Sequence, residues 1–387
     1  MSPALDVPEG YKLTEAVLST RKQWPIARLG AVATLQRGYD LPHRERKPGV
    51  VPIVTSSGFG ATHSEARVCG PGVVTGRYGT IGDVYVVEED FWPLNTTLYV
   101  KDFHDNDPAF VAHLLRTIDF HMHSGKSGVP GVNRNDLHEI DVRVPPLHEQ
   151  RAIATALSDV DALLAKLDQL IAKKRYLKQA AMQQLLTGQT RLPGFSGEWE
   201  VKRVADFGDV VTGGTPRTDV RHFWGEGFPW ITPTDISRDR DMVTSERSIT
   251  HIGLKTIRVL PANSVLVTCI ASIGKNAILK TVGGCNQQIN AVIPDKNSCA
   301  EFLYYLFEFH KPYLQASAGT TATSLISKAA FQELIFNVPV SSEQTAIATV
   351  LSDMDAELAA LVARQGKTRA LKQGMMQALL TGRIRLI

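Results

Sequence analysis

Two stretches of this chain, 149–192 and 343–386, align with each other at a constant offset of 194 without a gap, and roughly 60% of their positions are identical. Glu149-Gln150, Ala152-Ile153-Ala154-Thr155, Leu157-Ser158-Asp159, Leu177-Lys178-Gln179, Met182-Gln183 and Leu185-Leu186-Thr187-Gly188 return in the second copy. There they read Glu343-Gln344, Ala346-Ile347-Ala348-Thr349, Leu351-Ser352-Asp353, Leu371-Lys372-Gln373, Met376-Gln377 and Leu379-Leu380-Thr381-Gly382. Any fold must house the same segment twice, and near identity over this length implies one surface presented two times.

Each copy reads as one long helix. Ile153, Leu157, Val160, Leu164, Leu167 and Ile171 step by four, three, four, three and four, the heptad seam of a coiled coil. The second copy keeps the phase through Ile347, Leu351, Met354, Leu358 and Leu361. Pro145-Pro146 and Pro339 precede the helices, Ser341 with Gln344 forms a capping-box pattern, and Gly188 and Gly382 stand where a left-handed C-terminal cap is expected. Forty residues at 1.5 Å rise make a rod of about 60 Å. Two core helices of a bundle would share part of this pattern; their length, near identity and separation by about 150 residues of different material argue against it.

The preceding segments are duplicated more loosely. Trp24-Pro25-Ile26-Ala27-Arg28-Leu29 matches Trp199-Glu200-Val201-Lys202-Arg203-Val204 at an offset of 175, so the second segment is about 19 residues longer. Val73-Val74-Thr75 leads to Gly79-Thr80-Ile81-Gly82 as Val265-Leu266-Val267 leads to Ala271-Ser272-Ile273-Gly274, and Asn95-Thr96-Thr97 is echoed by Asn286-Gln287-Gln288. The plan is variable domain, conserved helix, variable domain, conserved helix. Short β-branched runs at 84–87, 142–144, 264–267 and 335–338, punctuated by Gly, Pro and Asn, predict strands; 108–120 and 300–314 predict shorter helices. Gly79 to Gly82 reads as the turn of a hairpin.

Composition is that of an ordinary globular chain, 43% hydrophobic and 21% charged, and no run approaches the roughly 18 apolar residues of a membrane helix. The first thirty residues carry charges throughout, so no secretory signal and a cytoplasmic location are expected. Cys69, Cys269, Cys285 and Cys299 lack Cys-x-x-Cys spacing, and the histidines, His121 and His123 included, lack ligand spacing, so no metal or cofactor is expected. A net charge of +3 permits a nucleic-acid partner without announcing one. Basic runs at Arg21-Lys22, 44–47, 173–175 and 238–240 are compatible with solvated faces.

Catalytic motifs are missing. Gly125-Lys126-Ser127 lacks the upstream glycine of a nucleotide loop, Pro145-Pro146 lacks the neighbours of an amino-methyltransferase tetrapeptide, and Gly225-Glu226-Gly227 lacks the strand and third glycine of a dinucleotide fingerprint. Pro294-Asp295-Lys296 lacks a following Glu-x-Lys. This favours a binding subunit over an enzyme. A single-chain nuclease or methyltransferase would need a further catalytic module that 387 residues do not leave.

The domain order, the Pro-Pro-Leu-x-Glu-Gln start at 145–150, the Leu-Leu-Thr-Gly exits at 185–188 and 379–382, and the Gly-Thr-Ile-Gly and Pro-Leu-Asn-Thr-Thr segments resemble the specificity subunit of a Type I restriction-modification system. The resemblance runs from about Trp24 to Leu386, departing at Ser341-Ser342 where the first copy has Leu147-His148. It implies an α+β chain: two mixed α/β target-recognition domains separated by two long conserved helices that pair as an antiparallel coiled coil, with pseudo-two-fold symmetry. The boundaries expected are an N-terminal extension 1–23, domains 24–145 and 191–338, and helical regions 146–190 and 339–387. It further implies a non-catalytic subunit that reads an asymmetric bipartite target in double-stranded DNA, with a half-site spacing set by helix length. Expected partners are two modification (methyltransferase) subunits and restriction (ATP-dependent translocase and nuclease) subunits, with no membrane. The alternative is a two-domain scaffold for protein or glycan with no role on DNA.

For base and phosphate contact, the family places recognition on domain loops, where polar or basic residues stand beside glycine. The candidates are Arg77, Tyr78, Lys126, Asn133 and Arg134 in the first domain and Arg217, Lys275, Thr320, Thr321, Ser324 and Lys328 in the second. For partner contact they are Glu149, Gln150, Arg151, Glu343 and Gln344 at the helix starts and Lys178, Gln179, Lys372 and Gln373 on the outer helix face.

Overall fold

The computed structural model describes residues 23–124, 131–237, 239–319 and 324–386. Both long helices are present, Leu147–Leu186 and Ser341–Leu379. They end where glycine permits the turn: Gly188 and Gly382 have φ of +70° and +72°, conformations that a side chain at Cβ disfavours. A Cβ there would also press within 3.3 Å of the Trp199 ring and 3.2 Å of the Trp24 ring.

The capping box expected at Ser341 and Gln344 is not what forms. Gln344 Nε2 donates instead to Pro339 O at 2.9 Å, and its Oε1 accepts from Cys299 N at 3.2 Å. Gln150 does the same with Pro145 O at 3.0 Å and Asp107 N at 2.9 Å. Asp107 and Cys299 are the N-cap positions of the domain helices Pro108–Leu115 and Ala300–Phe309, so each glutamine satisfies an orphan N–H of a neighbouring helix instead of its own.

The chain divides into two units, one running to Leu167 and resuming at Arg364, the other spanning Asp168–Ala363. Each long helix contributes a half to each unit. In the first unit a four-stranded antiparallel sheet has the order Thr34–Arg37, Thr97–Asp102, Gly72–Gly76, Val84–Val87. Gly79 and Gly82, with φ of +79° and +89°, lie in the connection between its last two strands, the expected hairpin. Beside it a three-stranded sheet places Val51–Thr55 between Gly58–His63, antiparallel, and Trp92–Pro93, parallel.

The second unit repeats this scheme. Gly208–Thr212, Ile289–Pro294, Ser264–Thr268 and Asn276–Leu279 form the main sheet, to which Asp241–Met242 adds a fifth, parallel strand. The added strand lies in the longer second segment. In the small sheet Trp224–Ile231 runs between Ser248–Ile249, antiparallel, and Gly284–Cys285, parallel. The helix expected over 300–314 breaks at His310 into Ala300–Phe309 and Lys311–Ala316, because Pro312 has no N–H to continue the ladder.

Each domain core closes on the long helices. In the first unit Ile153 and Leu157 from one helix and Leu379-Leu380 from the end of the other are buried with Leu35, Val73, Leu98 and Phe110. In the second, Leu185-Leu186 and Ile347 with Leu351 are buried with Val265, Val292, Phe302 and Leu306. The first two seam positions of each helix are therefore domain core, at about 1.5–3 kcal/mol per buried Leu or Ile. Helix pairs with helix farther along. In the first unit Lys372 Nζ meets Asp161 at 2.5 Å. In the second Lys178 meets Asp355 at 2.5 Å and Lys174 meets Glu357 at 2.6 Å. Rising numbers on one helix meet falling numbers on the other, so within each unit the helix segments run antiparallel.

Candidate nucleic-acid interface

Four of the first domain's candidates converge. Tyr78 bridges Gly131 in antiparallel fashion, Val132 N donates to Arg77 O at 3.0 Å, and the Arg77 guanidinium lies 4.5 Å from the Tyr78 ring centroid. Only glycine fits beneath that ring, since a Cβ at 131 would fall 2.2 Å from it. Asn133 follows at once and spends its Oδ1 capping the helix Arg134–His138 through Asn135 N at 3.0 Å, while Arg134 is exposed. Lys126 lies outside the described residues, as do Thr320 and Thr321.

The second domain's candidates divide. Ser324, exposed, offers its carbonyl to Ala271 N at 3.1 Å and so sits against the loop that leads to Lys275. Lys275 lines a cleft of about 260 Å³ with Arg240, Asn276, Tyr304, Glu308 and Lys311. Lys328 is half-buried at the start of Lys328–Gln332. Arg217 belongs elsewhere: its carbonyl accepts from Trp224 Nε1 at 3.2 Å, and its guanidinium is paired with Asp219 at 2.7 Å.

The small sheets carry a feature that proximity to glycine does not reveal. In the first unit Tyr39 and Trp92 meet edge to face, centroids 6.4 Å apart at 72°, and the Arg67 guanidinium lies 6.0 Å and 4.9 Å from the two rings. In the second, Trp224 and Trp230 meet at 5.0 Å and 88°, with Arg247 at 3.8 Å and 5.4 Å. Both arginines are exposed. Two tryptophans on one strand were the only signal for the second corner, and the irregularity between Trp224 and Phe228 keeps simple alternation from predicting that they meet. The first corner joins residues 39, 67 and 92 and is visible only in three dimensions.

The partner-contact candidates are largely turned inward, which corrects the reading of their exposure. Glu149 is 1% exposed and accepts from Arg385 Nε and Nη2 at 2.6 and 2.7 Å and from Trp24 Nε1 at 3.1 Å. Glu343, fully buried, holds Arg191 by the same fork at 2.6 and 2.5 Å, with that guanidinium 5.8 Å from the Trp199 ring. Hydrogen bonding to the carboxylates raises both arginine pKa values. Gln150 and Gln344 are buried as staples to the domain helices, and Lys178 and Lys372, expected on the outer face, are committed to Asp355 and Asp161. Arg151, Gln179 and Gln373 are exposed. Much of the near identity of the helices therefore maintains one joint built twice. A charged fork clasps the chain after each helix end to a helix start, and a glutamine clasps the helix start to the domain.

Above that joint the copies differ. His113 and Tyr305 stand six residues beyond the stapled N-caps Asp107 and Cys299. Tyr305 donates to Asp355 at 2.7 Å and accepts from Arg240 at 3.0 Å. His113, bonded to Arg116 at 3.2 Å, is pushed down to about 4 by burial and by that guanidinium, and stays neutral near pH 7. Burial pushes the thiols of Cys269 and Cys285 up to about 11 and about 12, which leaves them protonated and unreactive. Among the described residues no group of His, Cys, Asp and Glu is arranged to hold a metal, and no helix is long and apolar enough to cross a membrane.

Comparison with known proteins agrees with this architecture. The family described as Type I restriction modification DNA specificity domain matches twice, over residues 21–173 and 196–368. The specificity subunit of the MjaIX Type I restriction enzyme of Methanocaldococcus jannaschii is 35% identical over 164 residues, 41% of this chain and 38% of that protein. The HindI specificity subunit of Haemophilus influenzae is 29% identical over 146 residues, 36% of this chain and 32% of that one. Both alignments thus span well under half of the relative. The solved Type I restriction-modification S subunit of M. genitalium shares the fold along 98% of this chain and 99% of its own, with a TM-score of 0.65 at 14% identity. With the family matched in both halves, the chain belongs to the Type I restriction modification DNA specificity domain family.

Proposed function

We propose that this chain is the non-catalytic DNA-recognition subunit of a cytoplasmic Type I restriction-modification complex. In this reading 24–145 and 191–338 are its target-recognition domains, each reading one half of an asymmetric bipartite target in double-stranded DNA. The helical regions 146–190 and 339–387 dock two modification subunits, and restriction subunits join through them. The carrying observation is the contrast between anchorage and cargo: Glu149–Arg385 and Glu343–Arg191, with Gln150 and Gln344, repeat one joint, while the domains above it have diverged.

Two equal partners need equal surfaces, and identities left exposed on the helices supply them, among them Thr155 and Thr349, Asp159 and Asp353, Gln179 and Gln373, Gln183 and Gln377. Arg151 has Thr345 as its counterpart and would serve one side only. For the DNA face we retain Arg77, Tyr78, Asn133 and Arg134 as one cluster, with Lys126 in the adjoining segment. Arg217, Lys275, Ser324 and Lys328, with Thr320 and Thr321, supply the other domain. Phosphate contacts would come from the lysines and hydroxyls, base contacts from arginine and asparagine.

The test is to purify the chain with its modification subunits, titrate duplex DNA over a range of salt, and map methylated bases in treated genomic DNA. The expected outcome is an affinity whose logarithm falls linearly with the logarithm of salt concentration, together with one two-part methylated sequence. Salt-insensitive or absent duplex binding would favour the protein or glycan scaffold instead.

A further inference from the structure

We propose that Arg67 and Arg247 are sequence-determining residues, each presenting a rigid guanidinium fork to the O6 and N7 edge of a guanine in the major groove. The inference rests on the reading of this chain as a DNA-recognition subunit and adds to it two residues that loop composition does not single out.

Three observations carry it. Among the described residues these are the arginines set over two aromatic rings each, with centroid distances of 4.9 and 6.0 Å for Arg67 and 3.8 and 5.4 Å for Arg247. Arg240, Arg191 and Arg385, each over a single ring, are tied to carboxylates. Arg67 and Arg247 have no ion pair or side-chain hydrogen bond with any described residue, although both are exposed. Their donors are thus held in place and unspent.

The second observation is recurrence. Both corners stand on the three-stranded sheet of their unit, at the parallel strand pair: Trp92 opposite Ile53 in one, Trp230 opposite Gly284 in the other. The aromatic partners are not at matching positions, yet an edge-to-face pair under an arginine results in both. The third is backbone restraint. Arg67 N donates to Phe91 O at 3.0 Å, and Arg247 O accepts from Trp230 N at 3.2 Å and Ser245 Oγ at 2.6 Å.

Restraint of this kind matters for one sort of ligand. A phosphate is satisfied by any nearby cation, and a mobile lysine or arginine serves. A guanine edge offers two acceptors in one plane, so it rewards a fork whose plane is already set and whose rotamer entropy is already lost. Contact with two rings set at a steep angle to each other narrows the positions open to the guanidinium while leaving its N–H groups without an acceptor among the described residues.

The experiment uses the chain in complex with its modification subunits, acting on unmethylated genomic DNA whose methylated positions are then sequenced. R67K and R247K keep the charge and lose the fork; R67Q and R247Q keep a planar donor and lose the charge, and they carry the test if a lysine variant does not fold. The expected result is that R67K relaxes one base position in one half of the methylated sequence, and R247K one position in the other half. Discrimination against wrong bases should fall by about 5- to 150-fold there, the remaining positions unchanged. An unchanged sequence preference would overturn the proposal. So would a uniform loss over all sequences, with a salt slope reduced by about one when duplex is titrated against the R67Q or R247Q complex over a range of salt, the signature of a phosphate contact. A wild-type complex that methylates no defined sequence would overturn the recognition reading itself, and this proposal with it.

Discussion

Glu149 and Glu343 illustrate how the desolvation of an almost wholly buried carboxylate is offset. Each carboxylate is met by both donors of an arginine fork, which replaces the hydration it gives up. Replacing Glu149 by Ala removes the carboxylate that two N–H groups of Arg385 and the Trp24 indole share. We expect a loss of about 2 kcal/mol, below the cost of a fully desolvated pair because Arg385 is partly hydrated, read as a lower urea midpoint. A midpoint equal to wild type would show the clasp to be energetically silent. His113 supplies a pH dependence of the opposite origin. The folded protein resists protonating it until about pH 4, while the unfolded chain takes the proton up near 6.5. Stability should therefore be full above 6.5 and decline as pH falls from 6.5 to 4, by about 3 kcal/mol at most. His113→Gln, compared with wild type by thermal unfolding across that interval, should flatten this decline; an unaltered slope would assign it to other groups.

The long helices show two jobs divided along one element. Their outer turns belong to the domain cores, as Ile153, Leu157, Ile347 and Leu351 show, while their inner turns hold each other through Asp161–Lys372 and Lys178–Asp355. The seam continues apolar through Leu167 and Ile171, which remain 4% and 5% exposed. Reversing the charge at Lys178 should thus disturb the chain on its own. Lys178→Glu faces Asp355 with a like charge and should lower stability by about 1 kcal/mol with no partner present, a modest figure because Asp355 is about one-third exposed. Denaturation of the isolated chain measures it, and an unchanged midpoint would free Lys178 for the docking role. Tyr176, 72% exposed, and Leu177, 42% exposed, leave apolar surface on the same helix, as an element built for partners would.

At the level of the molecule two different domains are each held by one repeated joint. Because the joint draws on Trp24, Gln150 and Glu149 in one unit and on Trp199, Gln344 and Glu343 in the other, a foreign domain ending at the same residues should fit without new contacts to the helices. With its modification subunits present, we expect a chain whose 24–145 is replaced by the corresponding segment of another member of the family to direct methylation to a hybrid sequence. One half would be new and the other unchanged, as mapping of methylated bases would reveal. A target altered in both halves would mean that the domains do not read independently.

The heptad spacing, the glycine stops and the offset of 194 were sufficient to read the helices, the duplication and the family from the amino-acid order, because these are local or periodic properties of the chain. Likewise Val84–Val87, Ser264–Thr268 and the turn at Gly79 to Gly82 followed from side-chain type alone. Which polar residues face inward did not, and the candidates Glu149, Gln150, Lys178 and their repeats were read as outward for that reason. A carboxylate or amide looks equally solvent-loving whether or not a partner 43 to 236 residues away satisfies it. The same limit hid Arg67 and Arg247. Periodicity records which face of an element is apolar, but the pairing of charges and rings from distant segments exists only once the domain has closed around them.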